Sequence, residues 1–170
     1  AYLAISPFLF QNVIGITPVQ YGWLALFIAT GLASGGLVNS LIVRYFGRHK
    51  LLKFGTLLQI LAGIAMLALG IFRFLNIWSI MIPMLTYMFA AGFVFTNAFA
   101  GAFHFFSKMA GFAGAVYGSL QILGGTVVTI IIAASHARNQ LPLAIILLCI
   151  GIFSYFLQKL GHQFTLKKDI

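Results

Sequence analysis

The chain alternates between long apolar stretches and short clusters of charged or turn-forming residues. About 20 helical residues are needed to cross a hydrocarbon core of about 30 Å. Five stretches reach that length, namely 21–43, 51–72, 77–100, 110–134 and 141–159. Because lipid offers peptide groups no hydrogen-bond partner, such stretches must be helical. The pattern therefore predicts an all-α, polytopic transmembrane helix bundle.

A further apolar segment, 1–13, precedes these stretches and is too short to cross a membrane by itself. The polar and turn-forming residues of 14–20 separate it from the next span. It opens in apolar sequence, without Met or the basic region of a signal peptide. We therefore expect a fragment whose first helix is truncated, with a six-helix domain over 1–160 and a tail over 161–170. A processed, short membrane protein is the alternative.

Two prolines lie inside predicted spans. Pro7 falls in the short first segment and Pro83 in the stretch 77–100. Proline removes a backbone donor and clashes with the preceding helical turn. Each is expected to kink or break its helix.

Basic residues indicate how the spans are oriented. Short cytoplasmic loops retain Lys and Arg. Eight of the ten basic residues fall on one predicted side: Arg44, Arg48, Lys50, Lys53, Lys108, Lys159, Lys167 and Lys168. The opposite loops hold only Arg73 and Arg138. The connection 44–53 and the C-terminus are therefore predicted to be cytoplasmic.

Composition narrows the function classes. The chain is 62% hydrophobic and 6% charged, whereas soluble domains carry about 25% charged residues. Asp169 is the single acid and Cys149 the single cysteine. Paired-carboxylate hydrolysis, a Ser-His-Asp triad, a disulfide framework and a cysteine zinc site are thereby excluded. We expect no enzyme, no metal and no cofactor, and the basic residues lack the polar face of a nucleic-acid binder.

Small residues recur at fourfold spacing in two of the spans. Such stripes let membrane helices approach closely. The candidates for helix packing are Gly31, Gly35, Ala110, Gly114 and Gly118. A substrate pathway along the same surfaces is the alternative.

The polar residues predicted at membrane depth are few and neutral. Polar groups there tend to face the bundle interior or a wet cavity. The candidates for an amphiphilic cavity are Tyr2, Ser6, Tyr87, Asn97, Tyr117 and Gln121. With the 18 Phe residues, they suit a hydrophobic or cationic small molecule. For each one, a hydrogen bond between helices is the alternative.

The stretch 40–50 resembles the cytoplasmic signature of the major facilitator superfamily. Gly47 and Arg48 match the motif, whereas Ser40 stands at its Gly position and Arg44 at its Asp position. We expect these four residues to act in gating and topology. Two further regions, 6–22 and 110–121, resemble the Bcr/CflA-type (bicyclomycin-resistance) drug/proton antiporters.

The resemblance implies the C-terminal half, helices 7 to 12, of a twelve-helix multidrug exporter in a bacterial inner membrane. Two halves would work by alternating access around a midplane site. The implied partners are membrane lipid, the missing N-terminal half and the drug. The proton gradient would supply the energy, and with no Asp or Glu in the spans, the coupling acid is expected outside this chain.

Two other functions stay open at this point. One is a facilitator-family carrier of a different small molecule. The other is a non-transporting scaffold subunit whose small-residue faces pack against other membrane proteins.

Overall fold

The computed structural model describes residues 6–7, 10–11, 14–72, 76–105, 109–134 and 141–166. Five long helices cover most of these residues: α1 (Pro18–Phe46), α2 (Arg48–Ile71), α3 (Ile77–Phe105), α4 (Ala110–Ala134) and α5 (Leu141–Leu166). Each is long and apolar enough to cross a membrane. The all-α prediction is confirmed for the described part of the chain. Of the segment 1–13 too little is described to test the expected truncated helix.

Helix α1 begins at Pro18, earlier than the predicted Tyr21, because Thr17 caps it. The backbone N–H of Gln20 donates to the Thr17 hydroxyl at 3.3 Å, and the Thr17 N–H donates to Gln20 Oε1 at 3.0 Å. This reciprocal pair satisfies two of the donors that a helix start leaves free. Proline at the first helical position has no N–H to lose. Residues 18–20, which were predicted to end the connecting segment, therefore form the first helical turn of α1.

The connection between α1 and α2 is a single residue, Gly47. Its φ of 78° and ψ of 147° lie in a region that residues with a Cβ rarely adopt. One glycine can therefore reverse the chain where a longer loop was expected. The prediction that Lys50 and Lys53 lie in this loop is wrong, because both belong to the first two turns of α2.

Helices α3 and α5 also run further than predicted. Helix α3 continues unbroken through Pro83 to Phe105, so the break considered for this proline does not occur. In a membrane protein, neighbouring groups can compensate for the donor that proline removes. Helix α5 continues to Leu166 and so includes the start of the predicted tail 161–170.

Contacts between helices show their relative directions. Gly31 and Gly35 of α1 face Leu85 and Phe89 of α3, in the same order along both helices. These two helices therefore run parallel. In α2 and α5 the order is reversed, because Gly63 faces Leu148 and Gly151 faces Ile60. Both relations agree with helices that cross a bilayer alternately.

Helix α3 is central in the bundle. It packs against α1 and α2, and α2 also packs against α5. The buried core combines side chains from these helices and the N-terminal segment: Phe10, Ile28, Ala62, Met66, Ile80, Met81, Met84, Tyr87, Leu143, Ala144 and Leu147. Helix α4 makes few contacts, and no residue of its stretch 111–131 is buried.

Candidate functional site

A groove of about 310 Å³ lies between α1 and α3. Its lining consists of aromatic, hydroxyl and small residues: Phe27, Thr30, Gly31, Ser34, Leu85, Thr86 and Phe89. At 1.5 Å per residue, the 29 residues of α1 rise about 43 Å, which exceeds the hydrocarbon thickness. The lining residues lie close to the midpoint of α1. The groove is therefore near the depth at which transporters bind their substrates.

The hydroxyl groups of the groove all donate to their own helices. Thr30 donates to the Phe27 carbonyl at 2.6 Å, and Ser34 donates to the Gly31 carbonyl at 3.0 Å. Thr86 donates to the carbonyl of Ile82 at 2.9 Å. Because each hydroxyl proton already donates to a backbone carbonyl, only the oxygen lone pairs remain available, as hydrogen-bond acceptors. A ligand would meet acceptors and aromatic faces, which suits an apolar or cationic molecule.

A second groove, of about 470 Å³, lies on the other side of α3, against α2. Its lining is more apolar: Leu61, Ala62, Ala65, Leu69, Trp78, Ser79, Ile82, Pro83 and Thr86. Thr86 borders both grooves. The first groove is the stronger candidate because it combines more hydroxyl groups with two phenylalanine rings.

Glycines fix the helix contact that bounds the first groove. A Cβ atom at Gly35 would overlap the carbonyl oxygen of Phe89, and one at Gly92 would lie 2.6 Å from that of Leu32. The α1 and α3 backbones are therefore almost in contact beside the groove, at Gly35 and Gly92. Of the predicted packing residues, Gly31 and Gly35 lie in this interface.

Ser6 and Tyr87, two of the predicted cavity residues, are buried in the helix bundle. Ser6 Oγ and Tyr21 Oη lie 2.7 Å apart in a hydrogen bond. Tyr87 Oη donates to the carbonyl of Leu147 in α5 at 3.4 Å. Tyr2 lies outside the described residues.

Asn97 belongs to a polar network between α1 and α3. Its Nδ2 donates to Asn39 Oδ1 at 2.6 Å and to the Phe93 carbonyl at 2.8 Å. Asn39 Nδ2 in turn donates to Thr96 Oγ1 at 2.8 Å. Asn39 is 4% exposed and Asn97 2%, so the network holds two helices together in an apolar setting.

Tyr117 and Gln121 are the predicted cavity residues of α4. The Tyr117 ring contacts the rings of Phe95 and Phe99, with centroids 6.0 and 5.3 Å apart. These aromatic contacts join α4 to α3. Gln121 is exposed. None of the five described cavity candidates lines either groove.

The small residues of α4 make little contact with the described chain. A Cβ at Gly114 would lie 3.4 Å from the ring of Phe103, and one at Gly118 would have nothing within 4 Å. Ala110 is the first residue of the helix. At Gly114 and Gly118, α4 therefore makes no tight contact with the described residues of the kind that α1 makes with α3.

The four motif residues surround the turn between α1 and α2. The Ser40 hydroxyl donates to the Leu37 carbonyl at 2.7 Å, and the Arg44 guanidinium lies 5.0 Å from the Tyr45 ring centroid. Gly47 forms the turn itself. Arg48 lies near α3, where a Cβ at Gly101 would be 3.7 Å from its Cζ. The motif thus joins the ends of three helices.

Four of the groove residues were not predicted from the sequence, namely Phe27, Thr30, Ser34 and Phe89. The three in α1, Phe27, Thr30 and Ser34, are spaced by three or four residues, which puts them on one face. That face became recognisable only once α3 was known to lie beside it. Thr86, the polar groove residue of α3, was not predicted either.

No cluster of three or more His, Cys, Asp or Glu capable of holding a metal ion occurs among the described residues. The residues that line the grooves offer hydrogen bonding and apolar contact. Both are properties of a binding site for a small molecule.

Comparisons with known proteins give one partial match. Multidrug resistance protein D of Escherichia coli (strain K12) is 32% identical over 93 residues, which make up 55% of this chain and 24% of that protein. The match thus covers about a quarter of the length of this curated relative. No family profile matches the chain, and no solved structure gives a significant match.

Proposed function

We propose that this chain is a six-helix half of a multidrug exporter of the major facilitator superfamily, of the Bcr/CflA type. The observation that carries the proposal is the 32% identity with Multidrug resistance protein D. The five apolar helices support it by their length and composition. The protein would be a multi-pass component of a bacterial inner membrane.

The proposed substrate surface is the groove between α1 and α3. Thr30 and Ser34 offer hydroxyl acceptors, while Phe27 and Phe89 offer aromatic faces. Among the described residues, no Lys, Arg, Asp or Glu lines it. Anionic substrates would lose their hydration without gaining a partner, so the groove favours hydrophobic and cationic drugs.

The proposed mechanism is alternating access between this half and an N-terminal half. The groove would open to one side of the membrane and then to the other as the halves rock. Arg48 and Gly47 would act in this movement, because Gly47 joins α1 to α2 and the Arg48 side chain lies beside Gly101 of α3. A proton gradient would drive export, with the coupling carboxylate supplied by the other half.

An efflux assay tests this proposal. The whole reading frame that encodes this chain would be expressed in a bacterial strain lacking its major drug pumps. We expect lower accumulation of a cationic dye such as ethidium, and a return to high accumulation when a protonophore dissipates the gradient. Unchanged dye accumulation at normal protein abundance would contradict an exporter.

Matched phenylalanine variants test the location of the groove. Phe89→Ala should raise dye accumulation at least threefold because it removes a ring from the groove. Phe153→Ala removes a ring that is 65% exposed on α5 and should leave efflux unchanged. Equal effects of the two variants at equal abundance would place the substrate elsewhere.

The motif is tested by Arg48→Glu. The reversed charge should impair efflux because it lies where the ends of three helices meet. Protein abundance in the membrane is measured in parallel. Normal efflux at normal abundance would remove Arg48 from the gating mechanism.

A further inference from the structure

A second polar site lies away from the grooves, between α2 and α5. It is a cavity of about 120 Å³ lined by His49, Lys53, Tyr155, Gln158 and Lys159. Drug-binding pockets measure roughly 300 to 1,000 Å³, so this cavity is too small for such a molecule. It has space for a small polar group.

Two lysines line the cavity, and no acid lines it among the described residues. Lys53 and Lys159 carry ammonium groups, and His49 adds an imidazole. The described residues contain no Asp or Glu at all. Clustered cations without carboxylates favour a bound anion.

Hydrogen-bond donors accompany these charges. Gln158 Nε2 is buried and has no hydrogen-bond partner in the described part of the chain, whereas Gln158 Oε1 lies 3.4 Å from the Thr56 hydroxyl. A buried donor without a partner costs free energy. The Tyr155 hydroxyl is a further potential donor. An oxyanion in the cavity could accept from both groups.

Apolar side chains are exposed on the same turns of α2 and α5 as the cavity residues, and their surface suits an acyl chain. Phe54 follows Lys53 and is 50% exposed, and Phe156 and Leu157 follow Tyr155 and are 57% and 52% exposed. These side chains lie near the ends of helices that can cross a membrane. Lysine and tyrosine are typical of the headgroup level there. A phospholipid would place its phosphate among the cations and its acyl chains against these apolar side chains.

We propose that this cavity between α2 and α5 binds the phosphate of an anionic phospholipid. The site is separate from both grooves, and its ligand is a lipid of the surrounding membrane rather than a transported drug. On the predicted orientation it faces the cytoplasmic leaflet, which is rich in anionic lipid.

Native mass spectrometry of the detergent-purified protein, from its whole reading frame, tests the proposal. Phosphatidylglycerol and phosphatidylcholine are titrated separately at an ionic strength of about 0.15 M, at which exposed charges beyond about 8 Å are screened. We expect at least tenfold tighter binding of phosphatidylglycerol. Equal affinity for the two lipids would overturn the proposal.

Charge-matched double variants locate the site. Lys53→Gln with Lys159→Gln should weaken phosphatidylglycerol binding roughly thirtyfold, because each lysine contributes about a fivefold effect near an anionic surface. The control, Arg44→Gln with Lys50→Gln, removes two charges from the same end of the bundle but not from the cavity, and should change binding less than threefold. Equal losses in both would indicate general surface charge and overturn the site.

Two further experiments test whether the phosphate occupies the cavity and whether a soluble anion is the ligand instead of a lipid. Gln158→Leu removes the buried donor without changing the charge and should weaken binding about fivefold, with the melting temperature measured to verify the fold. Unchanged binding by the folded variant would contradict the proposed phosphate position.

Inorganic phosphate at millimolar concentration should not displace the lipid. If it occupies the cavity while phosphatidylglycerol does not bind, a soluble anion is the ligand and the lipid proposal fails.

Discussion

Helices α3 and α4 are both long and apolar, yet they pack very differently. Within the most apolar stretch of each helix, 44% of the α3 residues are buried and none of the α4 residues is. Helix α4 contains five glycines and α3 contains two. Glycine content alone would therefore predict closer packing for α4 than for α3. Small residues permit close approach, but a complementary neighbour has to occupy the space they leave.

The contact of α3 with α1 shows that complementarity. Large side chains and backbone of α3 at Leu85 and Phe89 meet the Gly31 and Gly35 surface of α1. The glycines of α4 have no such neighbour within the described chain, and four of the five would have no described atom within 4 Å of an added Cβ: Gly111, Gly118, Gly124 and Gly125.

The largest effect is expected when a methyl group is added to the α1 surface, and a methyl group added to α4 is the comparison. Gly35→Ala should destabilise the protein by about 3 kcal/mol, because the new Cβ would meet the backbone of Phe89, which cannot rotate away. Gly118→Ala should be neutral or stabilise α4 by up to about 1 kcal/mol through helix propensity. Unfolding of purified protein in detergent by added SDS measures both. A similar loss of stability in both variants would show that α4 packs as tightly as α1.

The helices follow from the sequence because lipid requires backbone groups to bond within a segment. Their ends depended on local detail: the capping pair of Thr17 and Gln20 starts α1 early, and Gly47 reverses the chain alone. The groove could not be predicted in this way. Phe27 and Phe89 are distant in sequence, and the close packing of their helices at Gly31, Gly35 and Gly92 brings them together.

A second prediction compares glycines at helix ends. Gly47→Ala should destabilise the protein by about 2 kcal/mol, because its φ of 78° and ψ of 147° are strained for alanine. Gly111→Ala, near the start of α4, meets no atom within 4 Å and has helical backbone, so it should cost nothing. The same SDS titration measures both. Equal stability of the two variants would mean that the turn between α1 and α2 can relax.

The third prediction concerns the polar network that joins α1 to α3. Asn39→Ala should cost about 1 kcal/mol, because Asn97 and Thr96 lose a partner in an apolar interface. Ser119→Ala on exposed α4 is the matched control and should cost less than about 0.5 kcal/mol. A double-mutant cycle of Asn39→Ala and Asn97→Ala measures the coupling. Additive effects of the two asparagine variants would show that their hydrogen bond does not contribute.

The smallest expected effect tests how α4 is attached. Tyr117 contacts Phe95 and Phe99 through its ring, and aromatic pairs contribute about 0.5 to 1.5 kcal/mol. Tyr117→Phe keeps the ring and should leave stability unchanged. Tyr117→Ala should lower the free energy of unfolding by about 0.5 kcal/mol, because detergent contacts recover part of the ring contact energy. Unfolding in detergent again provides the measurement. If Tyr117→Phe destabilises as much as Tyr117→Ala, the hydroxyl rather than the ring attaches α4. Helix α4 would then be held by a polar contact, in contrast to the glycine-based packing of α3 on α1.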